Sequence, residues 1–335
     1  MPFIGNILKY KSLSIVGLEK NTGKTECLNY VIRRLKDSGK TIALTSIGMD
    51  GETIDQVTDT HKPEIVLYNN MIFMTSEKHY RQKQLVSEIL NVSEKQTALG
   101  RLVTARAMST GTVMFSGPSD TTWLKKEIAN MQSYQVDTTI VDGAISRLSL
   151  SSPAVTQCMI LATGAALSAN ISTIAQKTRF VYTLISLKAY KTPWADQLMS
   201  NENGVFALPE NDQPINLEIP SIFLLEKFKE QLKAYGNTLY VAGAVGDKLL
   251  NYLRIQKQIS EITLVVRDFT KLFVTNEAYQ AFIKRGGKIK VLLRPELLAV
   301  CANPVSPLGF RLDSAKLCEA LQHSLDVPVY DIKKL

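Results

Sequence analysis

The sequence is poor in the residues that build disulfide frameworks, zinc sites and histidine-based active sites. Its 335 residues include four cysteines and three histidines. No cysteine has a CxxC spacing, so we expect reduced, buried thiols at Cys27, Cys158, Cys301 and Cys318. The histidines lie far apart in the sequence and indicate neither a metal cluster nor a catalytic triad. We therefore expect the chemistry of the protein to depend on other residue types.

Long hydrophobic runs are also absent. No stretch approaches the roughly 20 apolar residues that a membrane-spanning helix needs. Near the N-terminus Lys9 and Lys11 interrupt the hydrophobic residues, and the segment has no small-residue cleavage site of a secretory signal. These observations predict a cytoplasmic protein without a membrane partner.

Basic charge is in excess but is not concentrated in one block. The chain carries 39 lysines and arginines against 31 aspartates and glutamates, a formal net charge of +8. Because the basic residues are spread along the chain, the excess favours a solubilising surface over a nucleic-acid footprint, and we expect no nucleic acid partner. The composition is that of a globular protein, and the length corresponds to about two ordinary domains of 150 residues.

A strand, a helix and a second strand follow one another at the start of the chain. The apolar run of residues 12–17 predicts a buried strand, and residues 41–45 predict another. Between them, apolar residues at three- and four-residue spacing predict a helix that includes Leu28, Val31 and Leu35. A βαβ unit of this kind implies a parallel sheet with a right-handed crossover.

The predicted fold class is α/β, with a first domain built on a mainly parallel sheet with flanking helices and a second, smaller α/β domain after it. We expect the first domain at residues 1–190, a proline-containing linker at 191–220 and the second domain at 221–335. In the first domain, periodicity predicts helices at 77–91, 153–167 and 169–178 and a strand at 180–187. In the second, strands are expected at 238–242, 262–267, 288–293, 297–301 and 327–330.

The loop between the first strand and the first helix carries the strongest chemical signal. It reads Gly17-Leu-Glu-Lys-Asn-Thr-Gly23-Lys24-Thr25, which is typical of a P-loop. In a P-loop, backbone N–H groups and the helix N-terminus hold phosphate oxygens, the lysine reaches the β- and γ-phosphates, and the hydroxyl holds Mg²⁺. Five residues rather than four separate the two glycines, so Leu18 occupies the usual first-glycine position. The alternative interpretation is a surface turn that precedes a helix.

Acidic residues follow two of the predicted parallel strands. Asp142 ends the apolar run Thr-Thr-Ile-Val, the Walker B pattern of a carboxylate that orients Mg²⁺. Asp50, with Glu52 nearby, lies in the loop after the second strand, where a carboxylate can bind the metal shell or position water. Strand ends of an open parallel sheet converge on one crevice, so Lys24, Asp50 and Asp142 are predicted to form one catalytic site. Alternatively, each carboxylate only caps a turn.

The spacing of the loop resembles that of dethiobiotin synthetase and of the cobyrinic acid amidating synthetases. The segment Val141-Asp-Gly-Ala144 is similar to the acidic-Gly-Ala sequence of those enzymes. This resemblance implies a branch of P-loop ATPases whose second strand also ends in a functional aspartate.

A closer resemblance covers nearly the whole chain. The phrases SIVGLEKNTGKTECLNY, TSIGMDGE, SGPSDT, VDGAISRLSLSSPAV, MILATGAALS and ANPVSPLGF resemble the KamB subunit family of the lysine 5,6-aminomutase reactivase. The resemblance implies a protein that acts with a MutS-like second subunit, KamC, to release damaged cobalamin from an adenosylcobalamin-dependent aminomutase. It implies a metal shell of Thr25, Asp50, Glu52 and Asp142 for Mg²⁺. It also implies nucleotide binding by Gly17, Asn21, Thr22, Gly23, Lys24 and Thr25.

Two other functions are consistent with the same loop. One is an ATP-dependent ligase that activates a carboxylate or carbamate, although the C-terminal half has no Gly-x-Cys-x-Gly nucleophile elbow of the glutamine-hydrolysing enzymes. The other is a nucleotide-sensing module whose output is protein binding. ATP is expected rather than GTP, because no [NT]KxD motif is present. Residues 303–309 are expected to form either a ligand or partner loop of the second domain or a crossover turn.

Overall fold

The protein folds into two compact α/β units. The computed structural model describes residues 2–48, 64–144, 155–209, 213–219 and 237–334. The first unit consists of Met1–Arg179 together with Pro295–Leu335, and the second unit is Phe180–Arg294. The expected α/β fold class, with a large and mostly parallel sheet, is confirmed.

The strands of the two units are numbered in chain order. The first unit begins with β1 (Ser12–Gly17), β2 (Ile42–Ser46), β3 (Ile65–Leu67), β4 (Ile72–Ser76), β5 (Ser87–Thr97), β6 (Gly100–Ala107), β7 (Gly111–Val113), β8 (Thr138–Ala144) and β9 (Cys158–Gly164). The second unit has β10 (Val205–Ala207), β11 (Ile215–Asn216), β12 (Thr238–Val241), β13 (Val245–Gly246), β14 (Thr263–Val266), β15 (Leu272–Phe273) and β16 (Lys288–Val291). The last two strands, β17 (Glu296–Asn303) and β18 (Val329–Asp331), belong to the first unit.

The helices follow the same numbering. They are α1 (Pro2–Ile7), α2 (Lys24–Leu35), α3 (Glu77–Gln82), α4 (Thr121–Met131), α5 (Ile171–Ile185), α6 (Ala195–Met199), α7 (Asp247–Arg254), α8 (Asn276–Lys284) and α9 (Ser314–Ser324). Within the described ranges, no helix is both long and apolar enough to cross a membrane.

A nine-stranded sheet organises the first unit. Its order is β18-β17-β9-β1-β8-β2-β4-β6-β5, and all neighbours are parallel except the pairs that involve β6. β1 lies between β9 and β8, and all six of its residues are buried. Burial of every residue, Ser12 and Ser14 included, is typical of a parallel strand that is covered on both faces.

Helix α2 covers one face of this sheet. Cys27, Leu28, Val31, Ile32 and Leu35 recur at three- and four-residue spacing, and all are buried. They share a hydrophobic cluster with β1, β4 and β17 side chains. The same spacing predicted the helix from the sequence, so this part of the expected βαβ unit is confirmed.

The end of the chain completes the first sheet, and this corrects the expected domain division. β17 pairs in parallel with β9, and β18 pairs in parallel with β17. The strands expected at 297–301 and 327–330 therefore belong to the first unit rather than to a domain at 221–335. The second unit is an insertion between two parts of the first, and apolar runs alone do not reveal which sheet a strand joins.

Buried thiols join α2 to the C-terminal part of the sheet. The Sγ atoms of Cys27 and Cys301 lie 3.5 Å apart, and both side chains are fully buried. Their hydrogen bond, together with burial, raises the pKa of the Cys27 thiol well above its usual value. Burial raises the pKa of Cys158 to about 12. All four cysteines are free thiols, as expected, but Cys318 is only half-buried, whereas the sequence predicted a buried side chain.

The second unit has its own sheet, in the order β11-β10-β12-β14-β16. β12, β14 and β16 are parallel, whereas β10 is antiparallel to both of its neighbours. Residues 191–220, expected to be a linker, contribute β10 and β11 to this sheet. The described prolines of this stretch, Pro193, Pro209 and Pro214, lie outside the short paired segments, so the sequence lacks the periodicity that would have indicated strands.

Three further element predictions are wrong. The helix expected over 77–91 ends at Gln82, and β5 begins at Ser87. In place of the helix expected over 153–167, the described residues contain the buried strand β9 at Cys158–Gly164. In place of the strand expected at 180–187, the chain continues α5 as far as Ile185. Short apolar runs do not distinguish a buried strand from a buried helix by periodicity, which accounts for the last two errors.

We predict that a fragment ending at residue 190, the expected end of the first domain, does not fold cooperatively. It lacks β17 and β18, so one edge of β9 loses its hydrogen-bonded neighbour. The hydrophobic core also loses the buried side chain of Cys301. Far-UV circular dichroism and urea unfolding of the fragment and of the full chain test this. Adding a separate peptide of residues 295–335 to the fragment should restore part of the cooperative urea-unfolding transition. A fragment that unfolds at the urea midpoint of the full chain would contradict the assignment.

Candidate functional site

The Gly17–Thr25 loop connects the central strand of the first unit to the N-terminus of α2. Leu18 N donates to Ala162 O at 2.9 Å, which fixes the start of the loop to the end of β9. Asn21 and Gly23 have positive φ angles of 61° and 89°, so the backbone turns back on itself before the helix begins. Left-handed backbone is costly for most residues but is tolerated by glycine and asparagine.

A close approach inside the loop accounts for Gly17. The buried Thr22 hydroxyl donates to Glu19 O at 2.8 Å, which closes the loop around its own backbone. A Cβ atom on residue 17 would lie 2.6 Å from Thr22 Oγ1, a distance that real Cβ contacts do not reach. A side chain at residue 17 would therefore disturb the compact loop, which accounts for a glycine at this position.

Lys24 and Asp142 form an ion pair at the carboxyl edge of the sheet. Lys24 Nζ lies 2.9 Å from Asp142 Oδ1, and the two side chains are only 18% and 12% exposed. The described residues offer Asp142 Oδ1 no further hydrogen-bond partner. The lysine is the first residue of α2, so the pair joins the start of this helix to β8.

Strand register explains why residues so distant in sequence meet here. Asp142 on β8 lies beside Ile15 of β1 on one side and beside Ser46 of β2 on the other. The Ser46 hydroxyl donates to Asp142 O at 3.2 Å. The ends of β1, β2 and β8 therefore border the same crevice, as the predicted parallel sheet required.

The structure describes some of the predicted site residues but not others. It brings Lys24 and Asp142 together, and Thr25 is half-buried in the first turn of α2. Asp50 and Glu52 lie outside the described residues. Their predicted roles in catalysis and metal binding stay predictions.

Asn303, at the end of β17, contacts the loop from the C-terminal part of the chain. Its side chain is almost fully buried and packs against Gly23, and its Nδ2 donates a long hydrogen bond of 3.5 Å to Asn21 O. Its backbone O accepts from Ala165 N at 2.8 Å, just after β9. Sequence analysis placed residues 303–309 in the second domain and missed this contact. The only available signal was the Asn-Pro pair directly after a buried strand.

Exposed ion pairs stand on both sides of the loop. Glu19 lies 3.8 Å from Lys177, and Glu26 lies 2.7 Å from Lys333 near the end of the chain. Each pair has exposed fractions of about a third or more, so solvent screens it and it contributes little to stability. The largely buried Lys24–Asp142 pair is therefore the main local electrostatic interaction.

The donor set at this edge suits a hard cation bound together with phosphate oxygens. Among the described residues, no group of three or more histidine, cysteine, aspartate or glutamate side chains could hold a metal ion. A carboxylate and a hydroxyl, at Asp142 and Thr25, are the oxygen ligands that Mg²⁺ usually takes alongside substrate phosphates and water. Thr25 and Asp142 are therefore of residue types that can contribute oxygen ligands to Mg²⁺.

Comparisons with known proteins do not identify a family. A scan against models of known protein families finds no match to this chain. A search of curated proteins finds no significant relative.

We predict strong energetic coupling between Lys24 and Asp142. Lys24→Met and Asp142→Asn should each lower the free energy of unfolding by about 1–3 kcal/mol, because each leaves a largely buried charge without its partner. The double variant should lose clearly less than the sum of the two. Urea unfolding of the four proteins gives the coupling free energy.

The exposed pair Lys40–Asp137 is the matched control. Its atoms lie 3.2 Å apart, but the side chains are 49% and 34% exposed. The cycle of Lys40→Met and Asp137→Asn should give a coupling below about 1 kcal/mol. Equal coupling in the two cycles would show that burial does not strengthen the Lys24–Asp142 pair.

Proposed function

We propose that the chain binds Mg²⁺ and ATP at the Gly17–Thr25 loop and couples ATP binding and hydrolysis to a protein partner. The observation that carries this proposal is the Lys24–Asp142 pair, 2.9 Å apart at the end of a buried parallel strand and at the start of a helix. The N-terminal end of a helix dipole is positive, so a lysine there interacts unfavourably with the dipole, whereas an anion interacts favourably. A bound phosphate would supply that anion.

The chemical roles follow from the residue types. The loop N–H groups and the α2 N-terminus would hold phosphate oxygens, and Lys24 would neutralise charge on the terminal phosphates. The Thr25 hydroxyl and the Asp142 carboxylate would hold Mg²⁺, whose charge would stabilise the phosphoryl group during transfer. Asp50 is proposed to position the attacking water, and Glu52 to complete the metal shell.

Partner exchange at Lys24 offers a physical basis for a switch. Without a nucleotide, Lys24 and Asp142 neutralise each other across the crevice. With nucleotide and cation bound, each would find a new partner of opposite charge. A ligand shifts a conformational equilibrium only when it binds one state more strongly, and this exchange provides such a difference.

The partner assignment rests on the resemblance to the KamB subunit family. We propose that the chain is the ATP-binding subunit of a reactivating factor that releases damaged cobalamin from lysine 5,6-aminomutase, together with a MutS-like second subunit. A tightly held corrin leaves slowly, so we propose that a closure driven by ATP separates the aminomutase subunits by binding one conformation better. The resemblance, rather than any contact in the structure, supports this finer assignment.

We expect isothermal titration calorimetry to detect Mg²⁺-dependent ATP binding that Lys24→Ala weakens by about 10- to 100-fold. The lysine would donate a charge-assisted hydrogen bond, which is worth about 1.5–3 kcal/mol. Lys125→Ala, at an exposed position on α4, should leave the affinity unchanged. Asp142→Asn should remove most of the dependence on Mg²⁺. Failure of the wild-type chain to bind ATP, with or without Mg²⁺, would refute the proposal.

A second experiment tests the partner. Purified aminomutase that carries inactivated cobalamin should raise the rate of ATP hydrolysis, and corrin release should require the chain, ATP and the MutS-like subunit. Lys24→Ala should abolish both effects, whereas Lys125→Ala should retain them. ATP turnover that ignores the aminomutase but requires a small carboxylic acid or amine would favour the ligase alternative.

A further inference from the structure

The second unit carries a concentration of basic residues at the edge where its parallel strands begin. α7 ends at Arg254 and α8 ends at Lys284, which Arg285 follows. The next strands in the chain, β14 and β16, start at Thr263 and Lys288. Four of the seven residues from 284 to 290 are basic, and none is acidic.

An open pocket of about 450 Å³ lies between these two helix ends. Its lining consists of Arg254, Ile255, Ala281, Lys284 and Arg285. We call this feature the basic pocket. Ile255 is 68% exposed, one of the most exposed large hydrophobic side chains among the described residues. A single exposed apolar side chain is common on protein surfaces, so the feature that distinguishes this pocket is the group of three cations around Ile255.

The three cations of the basic pocket have no carboxylate partner among the residues that the structure describes. In the part of the chain that the structure describes, no ion pair or hydrogen bond involves the side chains of Arg254, Lys284 or Arg285. A basic residue in the last turn interacts favourably with the helix dipole, which explains one cation at each helix end. It does not explain the exposed Ile255 between them.

The position of the pocket favours a protein over a small ligand. In open α/β sheets, small ligands bind outside the carboxyl ends of the strands, whereas this pocket lies at the opposite edge. No aromatic side chain lines it, so it lacks the stacking platform on which single-stranded nucleic acids depend. Cations around an apolar centre instead match a peptide whose carboxylates flank an apolar side chain.

We infer that the basic pocket binds an acidic segment of a partner protein. Carboxylates of that segment pair with Arg254, Lys284 and Arg285, and an apolar side chain of the segment packs on Ile255. The inference does not involve the Gly17–Thr25 loop, so it stands or falls independently of ATP binding.

A labelled peptide tests the charge requirement. The probe is a fluorescein-labelled peptide with one leucine between two pairs of glutamates, and fluorescence anisotropy measures its binding to the full chain. Binding should weaken about tenfold between 50 and 200 mM NaCl. Lys284→Gln/Arg285→Gln should weaken it about tenfold. Lys125→Gln/Lys126→Gln, an equally charged change at adjacent exposed lysines of α4, should have no effect.

A double-mutant cycle tests the apolar contact. It combines a substitution of Ile255 in the protein with a substitution of the leucine in the peptide. Ile255→Ser should weaken binding of the leucine peptide about threefold. It should not alter binding of a peptide with glycine in place of leucine. Circular dichroism of each variant checks that the fold is intact, which is expected because every substituted side chain is exposed.

Three results would overturn the inference. The first is that the leucine peptide does not bind to the wild-type chain at 50 mM NaCl. The second is that the two double variants weaken binding equally, which would show that only net charge matters. The third is that a thymidine oligonucleotide of equal charge binds more tightly than the peptide and loses affinity in Lys284→Gln/Arg285→Gln, which would make the face a nucleic-acid site.

Discussion

Burial of β1 on both faces is the constraint on which the candidate site depends. This strand lies between β9 and β8, and its six residues are inaccessible to solvent. Because the strand cannot shift without exposing Leu13 and Ile15, its end holds the Gly17–Thr25 loop at a fixed position relative to Asp142 on β8. The ion pair between Lys24 and Asp142 is then a consequence of register, and a slip by one residue would turn these side chains away from each other.

The loop is also held from the opposite side by the C-terminal part of the chain. Asn303 packs against Gly23, and Cys301 contacts Cys27 in the first turns of α2. Residues separated by more than 270 positions therefore determine the shape of a nine-residue loop. The phosphate site proposed here belongs to the first unit as a whole and not to a local sequence motif alone.

Sequence patterns predicted what depends on near neighbours and missed what depends on distant ones. The strand at 12–17, the helix from Lys24 and the meeting of Lys24 with Asp142 follow from periodicity and from the rule that parallel strand ends converge. The strand β9 was taken for a helix, because a buried apolar run has no distinctive period. The contact of Asn303 with the loop was missed because it depends on β17 pairing with β9 across an inserted unit.

The insertion of the second unit also determines the order in which the two units are completed during synthesis. The ribosome makes residues 180–294 before it makes β17 and β18, so the second unit has its complete sequence while the first still lacks two strands. The β9 edge and the apolar side chains beneath β17 stay uncovered during that interval, and such surfaces are prone to aggregation. The nascent chain therefore acquires these two sheet neighbours, and with them the support behind the Gly17–Thr25 loop, only after the second unit has been made.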